Sequence, residues 1–197
     1  MSRAAPYDRE KSLDAALSVF WTKGYHATSL KDLETALAMK PGSIYAAFKS
    51  KENLYLLALE RYFMKSRNGF RKQAENALSP LQILADHLRA FPALDDDDAA
   101  KQACMLTKTL VDTRSTDNVL ADQTRQYMRE MREEFGKVFH AALGKGELPD
   151  NADTMRLARR YQANLTALRL EIHQGTKQDE LVQLADDMAR EVEMLRP

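Results

Sequence analysis

The stretch Ser29-Leu-Lys-Asp-Leu-Glu-Thr-Ala-Leu-Ala-Met-Lys-Pro-Gly-Ser-Ile-Tyr-Ala-Ala-Phe-Lys-Ser-Lys51 decides the fold. Ser29 with Asp32 three residues later predicts a capping box, in which each side chain satisfies an amide the helix start would leave open. Leu30, Leu33 and Leu37 then fall on one face at helical spacing. The pattern breaks at Met39-Lys40, and Pro41 stands where a new helix would begin, a place where its missing N–H costs nothing. That helix is short and ends near Ala47 or Phe48. Ile44 and Phe48, four residues apart, anchor it inward. Ser50 caps the next helix, which starts at Lys51. Two short helices joined by a tight turn are the parts of a helix-turn-helix. Gly42, Ser43, Ala46 and Ala47 keep the second helix slim enough for a major groove about 12 Å wide.

On the N-terminal side, residues 8–23 read as a helix with Leu13, Ala16, Leu17 and Phe20 on one face and Gly24 as its left-handed cap. On the C-terminal side the helix from Lys51 runs to about residue 76 and carries a basic run of Arg61, Lys65, Arg67, Arg71 and Lys72. Further helices are expected over 81–89, 99–113 and 118–143, with Phe91-Pro92 and the Asp95–Asp98 run as a solvated connection after the first. The last two have the most regular spacing. Leu157, Tyr161, Leu165, Leu168 and Ile172 form one stripe, and Leu181, Leu184, Met188, Val192 and Leu195 form another. Gly175-Thr176-Lys177 separates them as the turn of an antiparallel hairpin. The chain is expected to be all-α, with about nine helices and no internal repeat. Residues 1–48 form the helix-turn-helix domain, 49–76 a connecting helix, and 77–197 a ligand-binding and dimerisation domain.

Composition narrows the function classes. With 44% hydrophobic and 29% charged residues, the 197-residue chain can bury a core and does not read as disordered. The single cysteine, Cys104, excludes an internal disulfide framework and a multi-cysteine zinc site. His26, His87, His140 and His173 show no pairing at helical spacing, so neither metal nor cofactor is expected. No apolar run is long enough to span a bilayer, and the N-terminus has no secretory core, which predicts a cytoplasmic protein without a membrane partner. Net charge is zero, but residues 1–72 hold 13 Lys and Arg against 7 Asp and Glu, while the remainder holds 16 against 22. A basic front and an acidic rear suit a polyanion partner at one end only.

The stretches Ala15-Ala-Leu-Ser-Val-Phe-Trp-Thr-Lys-Gly-Tyr-His-Ala-Thr-Ser29, Leu37-Ala-Met-Lys-Pro-Gly-Ser-Ile-Tyr45 and Phe48-Lys-Ser-Lys-Glu52 resemble the DNA-binding domain of TetR/AcrR regulators. Within that family, Ser-Ile-Tyr-Ala-Ala-Phe is similar to a subgroup with Ala-Ala after the tyrosine. The resemblance implies a dimeric regulator of transcription, commonly a repressor, that binds a palindromic double-stranded operator and is released by a small-molecule effector. It implies that Thr28, Tyr45 and Lys51 contact phosphates and that Gly42 and Ser43 face the bases. Lys40 and Lys49 flank the turn as further phosphate partners. Alanine methyls at 46 and 47 can touch thymine methyls but read no hydrogen-bond code, leaving Ser43, Lys40 and the Ser2-Arg3 arm as polar readers. The two C-terminal helices are implied to form a four-helix bundle with their copies in a homodimer.

For the effector, Cys104, Met105, Tyr127, Met128, Met131 and Tyr161 lie on helices that could line a cavity. Each also fits plain core packing. Cys104 in particular reads either as a packing residue or as a sensor of oxidants or electrophiles, since a thiol near a helix N-terminus ionises more easily. Nothing in the spacing places it beside His87 or His140 as a thiol–base pair, so no enzyme is expected. The alternative is a helical small-molecule-binding protein, or an activator, without a repressor role.

Overall fold

The computed structural model describes residues 8–75, 78–93 and 104–197. Within them lie nine α-helices and no strand. The Ser2-Arg3 arm, the Asp95–Asp98 run and the expected start of the sixth helix at 99 fall outside the described residues.

Helix α1 (Arg9–Lys23) starts where the Asp8 carboxylate accepts the amides of Glu10 and Lys11, and stops at Gly24 with φ of +83°. The expected capping box opens α2 (Leu30–Leu37), with the Ser29 amide donating to Asp32 at 2.8 Å and the Asp32 amide to Ser29 Oγ at 3.2 Å. Ala38 closes α2 in the left-handed region at φ 51°, ψ 38°. An alanine is strained there, and its amide is held by the carbonyls of Glu34 and Thr35. Three residues later the chain enters α3 (Pro41–Phe48). Ser50 caps α4 (Lys51–Ala74), and the Asn53 side-chain amide donates to the Phe48 carbonyl at 2.9 Å, tying the end of α3 to the start of α4. The helices α5 (Pro80–Ala90), α6 (Met105–Thr113), α7 (Asn118–Gly144), α8 (Thr154–His173) and α9 (Gln178–Glu193) complete the body, with a short 3₁₀ turn at Phe91–Ala93 after α5.

Apolar burial divides into two clusters threaded by α4. The first joins Phe20, Leu33, Ile44, Phe48 and Tyr55 of the N-terminal helices, and it continues into Met105 and Leu106 of α6 and Leu120 and Tyr127 of α7. The second joins Phe70 near the end of α4 to α5, α7, α8 and α9 through Leu84, Phe135, Phe139, Tyr161 and Leu168. The head is therefore cored partly by the body. Arg61 of α4 clamps α1 from outside, donating to Asp14 at 2.6 and 2.7 Å and to Glu10.

The C-terminal stripes divide between two uses. Tyr161, Leu165 and Leu168 on α8, with Leu181 and Val192 on α9, are buried within the chain. Leu157, Ile172, Leu184, Met188 and Leu195 are only half-buried, and Leu170 and Val182 are 57% and 50% exposed. An apolar margin is left on the outer side of both helices.

Candidate nucleic-acid interface

The recognition surface follows from the two-sidedness of α3. Ile44 and Phe48 are buried at 2% and 1% exposure, so Gly42, Ser43, Tyr45 and Ala46 must face solvent, and all four do. Tyr45 is 45% exposed, large for an aromatic ring with no apolar partner surface to cover it. A Cβ added at Gly42 would meet nothing within 4 Å, so the helix start is open to a close approach. Lys40, the N-cap residue, and Lys49, the C-cap residue at φ 69°, are both exposed at opposite ends of α3. No carboxylate among the described residues is paired with either lysine. An amphipathic eight-residue helix with a cation at each end and a hydroxyl row between them suits a charged, grooved polyanion.

Two of the expected phosphate contacts sit differently from the rest. Thr28 is 1% exposed, and its hydroxyl donates to the Gly24 carbonyl at 2.6 Å, bracing the α1–α2 turn. Lys51 lies with Nζ 4.7 Å above the Tyr25 ring, and burial lowers its pKa. Both positions still adjoin a helix start, α2 for Thr28 and α4 for Lys51. Residue type at a matching position shows neither the burial of Thr28 nor the aromatic seat of Lys51, because each depends on a neighbour from another turn of chain.

The head is also fastened to the body by polar contacts that sequence spacing gives no sign of. Lys108 of α6 donates to the Trp21 carbonyl at 2.6 Å and the Thr22 carbonyl at 3.2 Å, capping the C-terminus of α1. His26 bonds Thr116 at 2.8 Å through its ring, and Tyr55 of α4 bonds Thr109 of α6 at 2.7 Å. These bonds fasten α6 to α1 directly, beside the contacts made through α4.

In the body, a cavity of about 550 Å³ opens between α1, α4, α5, α7 and α8. Its walls include Trp21, Phe70, Phe91, Phe135 and Leu165, and its polar groups include His87 and Arg169. Of the six candidate ligand residues, Met131 lines it. Tyr161 reaches it through a hydrogen bond of 2.7 Å to His87, while its hydroxyl donates to the Leu84 carbonyl at 3.0 Å. Cys104 occupies the N-cap position of α6 without a side-chain capping bond and receives the Tyr62 hydroxyl at 3.5 Å, and Tyr62 lines the cavity. Met105 is buried in the head cluster, Met128 is half-buried against it, and Tyr127 stacks on Phe63 at 4.4 Å. Burial, and secondarily the charge of Arg169, pushes the His87 pKa down to about 3, so this ring is a neutral hydrogen-bonding group at ordinary pH. Burial pushes the Cys104 thiol up, but Arg169 and the Tyr62 hydroxyl outweigh it and lower the pKa. A signal for Arg169 is present in the sequence. It stands four residues after Leu165 and three before Ile172, a cation on the edge of an apolar stripe.

No helix of the described residues is long and apolar enough to cross a membrane, and no group of three or more metal-ligating side chains comes together among them.

These features define a helix-turn-helix protein whose helical body holds a cavity. Residues 13–58 match the family of bacterial regulatory proteins of the TetR type, and residues 78–188 match the tetracyclin repressor-like C-terminal domain. The chain belongs to the TetR family. It is 28% identical to the HTH-type transcriptional repressor ComR of Escherichia coli K12 across 96% of this chain and 91% of that protein. Over 55 residues, 28% of this chain and 30% of the relative, it is 33% identical to the negative regulator of the icaADBC biofilm operon, IcaR, of Staphylococcus epidermidis. A cysteine-substituted form of the TetR family regulator CifR, solved with 26-base-pair operator DNA, superposes with a TM-score of 0.85 at 26% identity, covering 96% of this chain and 98% of that one.

Proposed function

We propose that this protein is a cytoplasmic, ligand-responsive repressor that binds an inverted-repeat operator as a two-fold dimer and releases it when a small molecule enters the body. The observation that carries the reading is the outer face of α3, where Gly42, Ser43 and Tyr45 stand exposed between Lys40 and Lys49. In this reading Tyr45, Lys40 and Lys49 hold phosphates, while Ser43 and the Ala46-Ala47 methyls meet base edges, and the Ser-Ile-Tyr-Ala-Ala-Phe run places the chain in the subgroup with Ala-Ala after the tyrosine. Thr28 serves by holding the turn that presents α2, and Lys51 by adding positive charge at the start of α4. Residues 1–48 act as the DNA-reading unit, 49–76 as the connecting lever and 77–197 as the sensing and dimerising unit, with no catalytic step. The half-buried apolar margin of α8 and α9 is the surface a second copy would cover. The relatives named as repressors, and the operator complex of CifR, support the same assignment.

The test is salt-dependent binding. Light scattering of the purified protein should give a dimer at micromolar concentration. Band shifts on duplexes carrying inverted repeats should show half-sites about 34 Å or more apart. Tyr45→Phe should weaken specific and nonspecific binding alike, by about 1 kcal/mol, through loss of one hydrogen bond. A monomer, or duplex affinity indifferent to salt, would overturn the reading.

A further inference from the structure

Arg169 holds a position that packing alone does not account for. It is set in the wall of the cavity, half-buried, on the apolar stripe of α8. Its Nη1 donates to the Tyr62 hydroxyl at 2.7 Å, and its guanidinium lies 4.9 Å from the Phe91 ring centroid. Its Nε is buried and has no hydrogen-bond partner. No carboxylate among the described residues forms an ion pair with it, whereas Arg89 holds Asp186 and Glu193, and Arg160 holds Glu191. A buried guanidinium facing only a phenol, a thiol and an aromatic ring is under-compensated. His87 nearby is neutral and supplies no counter-charge. At the mouth, Asp14 is committed to Arg61, and Lys65 adds a second cation.

We propose that this cavity is the effector site and that the effector is a small hydrophobic carboxylate, its charged end paired with Arg169 and its apolar body laid against Trp21, Phe70, Phe135 and Leu165. The proposal rests on the repressor reading above and names the chemical class that such a repressor senses. A carboxylate matches the planar guanidinium and supplies the acceptor that Nε lacks, whereas a neutral ligand leaves the charge as it is. A volume of about 550 Å³ falls within the range of small-molecule sites. The same cavity explains how occupancy would reach DNA. Trp21 and Leu17 of α1 line it. Tyr62 packs edge-on to Trp21 at 4.8 Å and also holds both Arg169 and Cys104 at the N-cap position of α6. An anion drawing on Arg169 loosens its bond to Tyr62, and with it the contact by which α4, α6 and α1 share one arrangement.

Trp21 is the only tryptophan in the chain, so its fluorescence reports occupancy without DNA present. Octanoate and octanamide should be titrated against the full-length protein, followed by Trp21 emission and by calorimetry, with 2-naphthoate and 2-naphthamide compared by calorimetry alone. In at least one pair the acid is expected to bind about tenfold or more tightly than its amide. Arg169→Met should abolish that ratio while leaving amide binding in place. Arg169→Lys, which keeps the charge but not the fork, should retain part of it and guards against a simple folding defect, which circular dichroism of both variants also checks. Equal affinity of acid and amide in both pairs, or a ratio that survives Arg169→Met, overturns the anion site while leaving DNA binding untouched. Acid binding that leaves the operator band shift unchanged overturns its role as effector. Loss of operator binding by the unliganded wild type would instead sink the repressor reading, and the Trp21 titration would still stand by itself.

Discussion

The lysines around the α2–α3 turn and the arginines along α4 carry the same charge and meet opposite fates. Lys40 and Lys49 stand exposed at the two ends of α3, with no carboxylate paired to them among the described residues. Arg67 and Arg71 of α4 face α7, where Glu130 accepts the first at 3.4 Å and Glu134 the second at 2.6 and 2.8 Å. Arg61 is likewise spent on Asp14 and Glu10. The basic surplus of the first 72 residues is thus two different things. One part is free to neutralise phosphate, and the other is internal bonding between the lever helix and its neighbours. Counting cations cannot separate them, because the acidic partners lie far away in sequence, 47 and 51 residues for Arg61 and 63 for both Arg67 and Arg71. The separation matters functionally, since only unpaired cations release counterions on binding DNA.

The largest expected effect comes from breaking the internal set. Glu134 is 7% exposed and takes hydrogen bonds from both Arg71 and Lys137. The Arg71 bond, against the opposing effect of burial, holds its pKa down to about 2 from 4.5. A depressed carboxyl stabilises the fold fully above its unfolded value and loses that contribution as pH falls towards the folded one. Glu134→Gln should therefore cost about 1.5–3 kcal/mol in urea denaturation near neutral pH. The gap to wild type should narrow between about pH 4.5 and about pH 2. A gap that stays constant across that window would mean that the pair is not what holds α4 to α7.

The external set is tested by the salt slope. Lys40→Ala and Lys49→Ala should each reduce the slope of log affinity against log salt by about 0.9 per contact. Arg67→Ala should leave that slope unchanged even if it alters stability, because its charge is already matched by Glu130. Equal slopes for Lys49→Ala and Arg67→Ala would erase the distinction drawn between the two regions.

The two regions also differ in how far the sequence discloses them. The helix order, the capping box at Ser29, Pro41 at the head of α3, and the inward pair Ile44 and Phe48 are all local features, set by neighbours within four residues. They stand in the structure as the spacing predicts. The cavity is not local. Trp21, Arg169 and the pair His87 and Phe91 meet there from three separate parts of the chain, and Met131 alone of the six candidate ligand residues is in its wall. Periodicity marks a residue as inward but does not say which inward residues leave space between them. The same limit applies to Lys108, an exposed-looking lysine that in fact caps α1 from α6.

The smallest expected effect, at Gly42, involves no charge. Gly42 is in the first turn of α3, its φ is not positive, and a Cβ there would meet nothing within 4 Å. Nothing in the protein itself needs glycine at this position. Glycine in a helix costs roughly 0.5–1 kcal/mol relative to alanine through the freedom it gives the unfolded chain. Gly42→Ala should therefore raise stability by a few tenths of a kcal/mol up to about 1 kcal/mol, reduced by the position near the helix end. If α3 enters a groove with its first turn against the bases, the same methyl group fills the open approach and weakens operator binding, with the salt slope unchanged because no cation is lost. Thermal melting and band shifts at several salt concentrations measure the two consequences on one protein. A variant more stable and equally tight on DNA would place the first turn of α3 away from the bases, and Lys40 beside it would then be left to phosphate alone.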